Sequence, residues 1–358
     1  KPDYFAKGFE YNSEKVNPDT QEEMKDIKKY GGKMIFTPGD VVYSSSKFLN
    51  YTEPNLDLDK LLLLMHNNSI KFEDLINSLT GLDKVSVHII GDTIVDSYTW
   101  TSLIGGQTKT PTLSVLFQKE EKYVGGAGIV AKHIAATGAK TIFTSVLGND
   151  EIMKFVLKDL KKTKMKLNII VDTERVTTNK NAIIADNYRL LKLDKLDNRP
   201  IPKEILKKLC SMIKYQKADS IIFSDFRHGI FSKNKNNKLI SSIPKNVFKV
   251  ADSQVASRWG NIADFKNFDL ITPNEREARF TLADQDSSIG ILSQKLKEQT
   301  NFKKLILKLG KRGILCSDSD KKNSSYTVGS FVDKALDPVG AGDALLAYTT
   351  VVYLKTKN

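Results

Sequence analysis

The residues most suited to chemistry occupy positions 337–343, in the order Asp-Pro-Val-Gly-Ala-Gly-Asp. An apolar run at 344–348 follows, and this pattern predicts that a helix begins at the glycines. The first N–H groups of a helix have no intrahelical acceptor, so they can bind an anion, and glycine lets that anion approach closely. Asp343 would then lie in the first turn, next to the anion. An anion hole beside a carboxylate base is what phosphoryl transfer to a hydroxyl requires.

A simpler interpretation of the same segment is a tight turn that ends in an N-terminal helix aspartate, as in many α/β proteins. The segment alone does not decide between the two, because short motifs often occur by chance. It is not a Walker A loop, since no Lys-Ser/Thr pair follows the glycines. It also lacks the spacing and early position of a Rossmann fingerprint.

A second constellation follows a predicted strand end at residues 270–272. Asn274 and Glu277 stand three residues apart, and this spacing places them on one face of a predicted helix. Glu277 can hold Mg²⁺ through water, because Mg²⁺ keeps much of its hydration shell. The alternative is a capping box, in which Asn274 begins the helix and Glu277 bonds back to it. On these residues alone, the capping box is favoured.

Two more groups flank the first predicted strand and the helix after it. Asp92 and Asp96 follow the strand at 85–90, where carboxylates can accept two sugar hydroxyls or can simply form a turn. Gly125 and Gly126 open a predicted helix, so a polar substrate can approach the backbone, or the helix can pack closely on the sheet. The four histidines show no ligand spacing, and no metal or triad role is expected for them.

From residue 84 onward, apolar strand patterns alternate with amphipathic helix patterns. Strands are predicted at 85–90, 141–146, 168–171, 220–224, 247–251, 270–272 and 305–309, and helices at 152–160, 203–213 and 288–298. This alternation predicts an α/β fold with a mostly parallel sheet covered by helices on both faces. Ligands of such sheets bind at the carboxyl ends of the strands. Residues 98–122 break the alternation and predict a small β insertion, placed where a lid would be.

Composition limits the classes of function. The net charge of +13 comes from 55 basic and 42 acidic residues, and the excess lysines are dispersed among polar residues. No lysine run is interleaved with aromatic residues, so a solvated surface is expected rather than a nucleic-acid partner. The longest apolar run, residues 61–65, is too short to span a bilayer, and two cysteines are too few for a disulfide framework. A cytoplasmic protein without a membrane partner is expected.

Taken together, these segments resemble the ribokinase-like (phosphofructokinase-B) sugar kinases. Members share an early Gly-Asp-x-x-x-Asp, a Gly-Gly motif, an Asn-x-x-Glu motif and a late Asp-x-x-Gly-Ala-Gly-Asp, and all four occur in this order over residues 85–358. Within the family, residues 91–98, 188–194 and 224–229 are most similar to the kinase part of bifunctional ADP-heptose synthases. The resemblance implies a ribokinase-like fold with a β lid at about 97–124. It also implies ATP- and Mg²⁺-dependent phosphorylation of D-glycero-β-D-manno-heptose 7-phosphate at the anomeric hydroxyl.

The resemblance further implies roles for individual residues. Asp343 would be the general base, and the anion hole would comprise Gly340, Ala341 and Gly342. The sugar phosphate would contact Asp92, Asp96, Gly125, Gly126 and Arg189. ATP would contact Asn274, Lys308, Gly310, Gly313 and Asp337, and Glu277 would hold Mg²⁺ through water.

One departure from the family pattern leaves the substrate open. Relatives have asparagine in a Gly-Gly-Ala-x-Asn pattern, and Ile129 stands at that position here. A kinase of another sugar, or a catalytically weak binding protein with this fold, are therefore the alternatives.

The N-terminal residues carry a second resemblance. Segments 1–11, 30–36 and 44–47 are similar to the last part of a cytidylyltransferase-like domain, the partner activity of bifunctional heptose enzymes. We predict a remnant of that domain at 1–50, a helical linker at 51–84 and a kinase domain at 85–358 that is incomplete at its C-terminus. The nucleotide-binding His-x-Gly-His motif is absent, so this piece is not expected to transfer nucleotides. Edges of the lid are expected to be able to pair across a homodimer.

Overall fold

The computed structural model describes residues 2–8, 18–37, 56–106, 112–255, 259–319, 324–332 and 337–357. They divide into two units, Lys1–Leu56 and Asp57–Asn358, which are described separately. Parts of the segments that resemble a cytidylyltransferase-like domain, residues 9–11 and 44–47, lie outside the described residues. The assignment of that domain and the boundaries at 50 and 84 stay predictions.

The first unit contains a β-α-β arrangement. It comprises β1 (Tyr4–Gly8), α1 (Pro18–Lys29) and β2 (Lys33–Thr37). The two strands are parallel, with Tyr4 opposite Lys33, and β2 covers the strand that the apolar pattern at 33–36 predicts.

The second unit holds the main α/β arrangement. Its helices are α2 (Leu56–Asn67), α3 (Phe72–Ser78), α4 (Ala127–Ala136), α5 (Glu151–Leu160), α6 (Lys203–Tyr215), α7 (Lys233–Ser241), α8 (Glu275–Leu282), α9 (Ile289–Thr300) and α10 (Ala341–Thr356). Its strands are β3 (Ser86–Gly91), β4 (Thr93–Gly106), β5 (Leu113–Gly126), β6 (Lys140–Leu147), β7 (Met165–Val171), β8 (Thr178–Ala185), β9 (Tyr188–Lys195), β10 (Ser220–Asp225), β11 (Phe248–Ser253), β12 (Leu270–Ile271), β13 (Lys304–Lys308), β14 (Ile314–Asp318) and β15 (Ser324–Val328).

Nine strands form the main sheet, in the order β15-β14-β13-β12-β11-β10-β3-β6-β7. The strands from β13 to β7 pair in parallel, whereas β14 and β15 form an antiparallel edge. The chain leaves β3 toward β6 on one side and later returns to β10 on the other. This reversal of direction at β3 opens a crevice beyond the carboxyl ends of the strands, where ligands of such sheets bind.

Two apolar layers hold this sheet from opposite faces. One layer packs α6 and α9 on the strands and includes a cluster of Phe223, Phe231, Phe265 and Phe268, with ring centroids of Phe223 and Phe231 5.2 Å apart. The other packs α4, α5 and α10 on the opposite face. Because both faces are covered, the central strands are buried along their whole length, which explains their continuous apolar sequences.

A separate four-stranded sheet, which we call the lid sheet, has the order β5-β4-β8-β9. Strands β4 and β5 pair antiparallel with Asp96 opposite Tyr123, and β4 and β8 pair in parallel with Asp96 opposite Lys180. Since β4 follows β3 directly and β5 runs into α4, the lid sheet is attached to the main sheet at the crevice.

The predicted fold class is confirmed, because the mostly parallel sheet is covered by helices on both faces. Two features were not predicted. Half of the lid sheet comes from β8 and β9, which lie outside the predicted insertion, and the antiparallel edge β14-β15 carried no distinct pattern. None of the helices in the described segments combines the length and apolar composition needed to cross a membrane.

Gly91 allows the closest approach of chain segments at the crevice. A Cβ at this position would lie 2.3 Å from the carbonyl oxygen of Ser224 and 2.5 Å from the Cβ of Ala127. We expect Gly91→Ala to lower the free energy of unfolding by about 1–3 kcal/mol, because backbone must move to accommodate the methyl group. Urea denaturation followed by circular dichroism measures this change.

The control for that measurement is Gly290→Ala. Gly290 lies in α9 with nothing within 4 Å of the added Cβ, so alanine should be neutral or stabilise the protein by up to about 1 kcal/mol. Equal unfolding free energies for Gly91→Ala and the unsubstituted protein would contradict the described packing.

Candidate functional site

A cavity of about 740 Å³ lies between the lid sheet and the N-terminus of α10, and we call it the lid cavity. Six of the sequence-predicted site residues line it: Asp96, Gly125, Gly126, Asp337, Gly340 and Asp343. Ile129 also lines it, at the position where the family pattern has asparagine. These residues come from parts of the chain more than 200 positions apart, which the crevice brings together.

The helix that bears Asp343 begins as the glycine pattern predicts. Gly340 adopts a left-handed conformation with φ of 84° and precedes the first helical residue, Ala341. Asp343 therefore lies in the first turn of α10, where backbone N–H groups lack intrahelical acceptors and the helix dipole favours negative charge. The N–H of Ala341, however, donates to the carbonyl oxygen of Pro338 at 3.2 Å, so the predicted anion hole depends on the N–H groups of Gly340 and Gly342. An anion can bind there with a carboxylate beside it.

Asp337 lies at the rim of the same cavity. Its Oδ1 accepts the N–H of Val339 at 2.9 Å, so the carboxylate stabilises the turn that leads into the helix. The assignment of Asp337 to ATP binding stays a prediction.

A charged group beneath the anion hole involves Asp252 and Lys308. The Nζ of Lys308 donates to Asp252 Oδ1 at 2.9 Å, and the hydroxyl of Thr272 donates to the same oxygen at 2.9 Å. The Lys308 ammonium also lies 3.3 Å from the point that a Cβ at Gly342 would occupy. A phosphate held by the first turn of α10 would therefore lie close to a fixed cation.

Burial is the largest cause that raises the pKa of Asp343 to about 7, and the charge of Asp252 raises it further. Lys308 acts in the opposite direction on the pKa of Asp343 but does not outweigh these two effects. For Lys308 itself, burial alone would lower the pKa, yet the carboxylates Asp252 and Glu277 raise it overall. Lys308 thus stays charged, while Asp343 titrates close to neutral pH, as a general base should.

Asn274 and Glu277 form the capping box that was the alternative interpretation. Asn274 Oδ1 accepts the N–H of Glu277 at 2.8 Å, and Glu277 Oε2 accepts the N–H of Asn274 at 2.7 Å. Burial raises the pKa of Glu277 to about 7, with Asp252 contributing in the same direction. The backbone N–H of Val255 is a further hydrogen-bond donor to the Glu277 carboxylate. The Mg²⁺ role of Glu277 stays a prediction.

The residues at this point fit a magnesium ion. The charge of Asp252 raises the pKa of Glu277 and also that of Asp343, so an added cation would relieve the repulsion among these carboxylates. Within the described segments, no group of three or more His, Cys, Asp or Glu side chains converges to hold a metal directly. Mg²⁺ is commonly bound by one or two carboxylates together with water and phosphate oxygens, which is the arrangement these side chains permit.

A second cavity, of about 810 Å³, lies on the other side of Lys308. It is lined by the predicted nucleotide residues Asn274, Lys308 and Gly310, together with Arg276 and Phe280. Gly313 does not line this cavity, because its backbone packs against β15. A Cβ added at Gly313 would lie only 2.0 Å from the carbonyl oxygen of Val328. The assignment of these residues to ATP stays a prediction.

Two predicted substrate residues do not line the lid cavity. Asp92 is buried, and its carboxylate accepts the N–H groups of Phe226, His228 and Ile230 at 3.1, 3.2 and 3.2 Å. These contacts hold the loop after β10, so they give no support to sugar binding by Asp92, which stays a prediction. Arg189 lies on β9 opposite Ile184, where it is exposed.

Sequence reasoning missed three charged residues of the site. Asp252 directly follows the predicted strand at 247–251, so the rule that selected polar residues at strand ends could have found it. Lys192 lies in the segment 188–194 that carried the family resemblance, but only Arg189 was selected from it. No sequence pattern indicated Lys180, because its position in the cavity depends on the pairing of β8 with β4.

Comparison with known proteins agrees with this geometry. The sequence profile of the pfkB family carbohydrate kinases matches residues 85–358. The chain belongs to this family. The pfkB match covers the main sheet, the lid sheet and α10, so the lid cavity and the helix end with Asp343 lie entirely within it.

The chain is also similar to curated bifunctional proteins. The chain is 27% identical over 266 residues to the bifunctional protein HldE of Sulfurimonas denitrificans, covering 72% of this chain and 54% of the relative. It is 29% identical over 272 residues to that of Aliarcobacter butzleri, covering 74% and 55%. The chain thus spans just over half the length of these relatives.

Two solved structures share the fold. Phosphofructokinase-2 from Escherichia coli superposes with a TM-score of 0.61 at 18% identity, over 76% of this chain and 88% of that one. Ribokinase from Thermotoga maritima superposes with a TM-score of 0.58 at 18% identity, over 76% and 87%. At this identity the likeness concerns the fold, which is ribokinase-like.

The pKa of Asp343 leads to a prediction about pH. A general base works only when ionised, so kcat/KM should fall as pH drops through about 7. Asp252→Asn removes a like charge that raises the pKa of Asp343 and leaves Lys308 in place. The acid limb of the pH profile should therefore move to lower pH.

The control is Asp83→Asn, which changes an exposed aspartate outside both cavities and should leave the profile unchanged. If the acid limb keeps its position in Asp252→Asn, a group other than Asp343 controls it.

Proposed function

We propose that this sugar kinase transfers the γ-phosphate of ATP to the anomeric hydroxyl of D-glycero-β-D-manno-heptose 7-phosphate, forming the 1,7-bisphosphate. The observation that carries the proposal is the position of Asp343. This carboxylate lies in the first turn of α10, lines a cavity large enough for a sugar, and has a pKa of about 7. The resemblance of residues 91–98, 188–194 and 224–229 to heptose kinases supports the choice of sugar.

In the proposed reaction, the acceptor hydroxyl donates its proton to the carboxylate of Asp343. The oxygen forms a bond to the γ-phosphorus in line with the bond that breaks, and ADP leaves with that electron pair. The N–H groups at Gly340 and Gly342 would stabilise the charge that develops on the transferred group, and that of Ala341 would join them on release from the carbonyl oxygen of Pro338. Lys308, held by Asp252, supplies a fixed positive charge on the same side. Mg²⁺, when bound near Glu277, would neutralise charge on the nucleotide phosphates.

Asp96 supports binding of a sugar in the lid cavity. The Oδ2 of Asp96 lies 2.6 Å from the point that a Cβ at Gly125 would occupy, so glycine is needed for the carboxylate to take this position. Burial raises the pKa of Asp96, whereas Lys180 and Lys192 lower it. A carboxylate in this position can accept two hydroxyl groups of one sugar.

Ile129 favours a second candidate, a kinase of another sugar. This apolar side chain lines the lid cavity where relatives have an amide that helps to hold the sugar. The substitution removes one hydrogen-bonding group, so a sugar that differs in the hydroxyl near Ile129 is the alternative substrate.

The whole protein would combine two activities. The family resemblance and the HldE relatives support a bifunctional protein that has a kinase and a nucleotidyltransferase activity. Both activities would serve the synthesis of nucleotide-activated heptose for surface polysaccharide, and residues 1–50 would belong to the nucleotidyltransferase domain. A cytoplasmic location fits this role.

Exposed apolar side chains of the lid sheet, such as Leu116, Phe117 and Leu191, support homodimer formation through that sheet.

The role of Asp343 is tested by Asp343→Asn. We expect kcat to fall by about 10²–10⁴-fold, because the amide cannot accept the proton, with the fold and the affinity for ATP preserved. ADP release measures turnover, circular dichroism checks the fold, and Asp186→Asn, an exposed aspartate in the β8–β9 turn, is the matched control. Turnover near that of the unsubstituted enzyme would exclude Asp343 as the base.

The sugar is tested with a panel of sugar phosphates and the corresponding free sugars. We expect the highest kcat/KM with D-glycero-β-D-manno-heptose 7-phosphate, and phosphorus NMR of the product should show a new anomeric phosphate. A higher kcat/KM with a different sugar would support the alternative based on Ile129. If no sugar of the panel causes ADP release, the proposed function is overturned.

A further inference from the structure

Two lysines of the lid cavity have no part in the chemistry at Asp343. Lys180 lies on β8 opposite Asp96 of β4 and Asp194 of β9, while Lys192 lies on β9 opposite Ala182 of β8. The two lysines are therefore diagonal neighbours on one face of the lid sheet, with Cα atoms separated by about 7–8 Å. Both line the lid cavity.

These ammonium groups are not neutralised by direct contacts. Throughout the described part of the second unit, neither Lys180 nor Lys192 makes an ion pair with a carboxylate within 4 Å. Burial is the main cause that lowers the pKa of Lys180, and the like charge of Lys192 lowers it further, whereas Asp194 and Asp96 raise it. Lys180 is half-buried and Lys192 is exposed, so a bound anion would offset the burial of the Lys180 ammonium and the repulsion between the two lysines.

Strand pairing gives the order of these groups on the lid sheet. Asp96 of β4 lies opposite Lys180 of β8, and Lys192 lies one strand further, on β9. Both lysines, Asp96 and Asp343 line the same cavity, and Asp343 enters it from α10 rather than from the lid sheet. The cavity therefore has a reacting end at Asp343 and two cations on β8 and β9, with Asp96 on the neighbouring strand.

We propose that Lys180 and Lys192 form a subsite for the phosphate group of the acceptor sugar, an inference that rests on the proposed function. A phosphate monoester carries two negative charges and three acceptor oxygens, so two ammonium groups from diagonal positions on one face of a sheet can bind it together. A sugar phosphate held there would place its ring hydroxyls at Asp96 and its far hydroxyl at Asp343. The subsite thus selects acceptors with phosphate and hydroxyl at opposite ends.

The subsite is separate from the groups that face ATP. Lys308 and the N–H groups of α10 serve the transferred phosphate, and they approach Asp343 from the main sheet. Lys180 and Lys192 belong to the lid sheet, on strands β8 and β9. Loss of the lid lysines should therefore change affinity for the sugar phosphate and not for the nucleotide.

Isothermal titration calorimetry on Lys180→Gln and Lys192→Gln, each made in the Asp343→Asn background to prevent turnover, tests the proposal. We expect affinity for heptose 7-phosphate to fall about tenfold to hundredfold, because each variant removes one charge-assisted hydrogen bond. Affinity for the unphosphorylated heptose and for ATP should not change. In the active enzyme, Lys192→Gln should raise KM for the sugar phosphate far more than it lowers kcat.

Lys195→Gln is the matched control. Lys195 is an exposed lysine of the same strand opposite Asn179, at an alternate position that places it on the other face of the lid sheet. It should leave sugar phosphate affinity unchanged. Lys192 is exposed, so Lys192→Gln should fold normally even if Lys180→Gln does not.

The outcomes separate this inference from the proposed function. If the enzyme phosphorylates heptose 7-phosphate but both lysine variants bind it normally, the subsite is overturned and the function stands. If the variants lose affinity for ATP instead, the lysines belong to the nucleotide and the subsite is overturned. If the unsubstituted enzyme binds no sugar phosphate, the subsite and the choice of substrate are both overturned.

Discussion

The parallel alignment of the main sheet is the constraint on which the site depends. Strands that are buried on both faces carry apolar side chains along most of their length. The charged side chains of the site therefore lie at the ends of the strands. In a parallel sheet those ends meet at one edge. Asp252 lies at the carboxyl end of β11, Thr272 follows β12, and Lys308 is the last residue of β13. Their side chains form one hydrogen-bonded group. The N-terminus of α10 faces the same edge, and it adds Asp343.

The resulting charge distribution explains how a carboxylate can act as a base near neutral pH. Lys308 is the cation that acts on both Asp343 and Glu277, while Asp252 acts against it on both. Because Lys308 is paired with Asp252, its charge is only partly available to Asp343, whose burial then dominates. The same balance leaves an excess of negative charge that a magnesium ion could compensate. Proton acceptance and cation binding thus share one physical origin.

The lid sheet adds the selection of substrate to this common site. Its two halves are distant in sequence, and the parallel pairing of β4 with β8 brings Asp96 beside Lys180. Alternation along each strand then decides which side chains face the cavity. In this way a carboxylate suited to hydroxyl groups and two ammonium groups suited to phosphate come to lie on one surface. In the proposed reaction, the main sheet carries the groups that transfer the phosphate, and the lid sheet holds the acceptor sugar phosphate.

The sequence by itself determined the fold class, the first helical turn at Asp343 and the capping contact between Asn274 and Glu277. These features depend on local patterns: continuous apolar strands, glycines before a helix, and a three-residue spacing. Tertiary structure decided what no local pattern contains. It buried Asp92 under the loop after β10, brought Asp252 to Lys308, and placed Lys180 and Lys192 in the lid cavity. The physical reason is that strand register and burial set which charges are neighbours, and both arise only when distant segments pair.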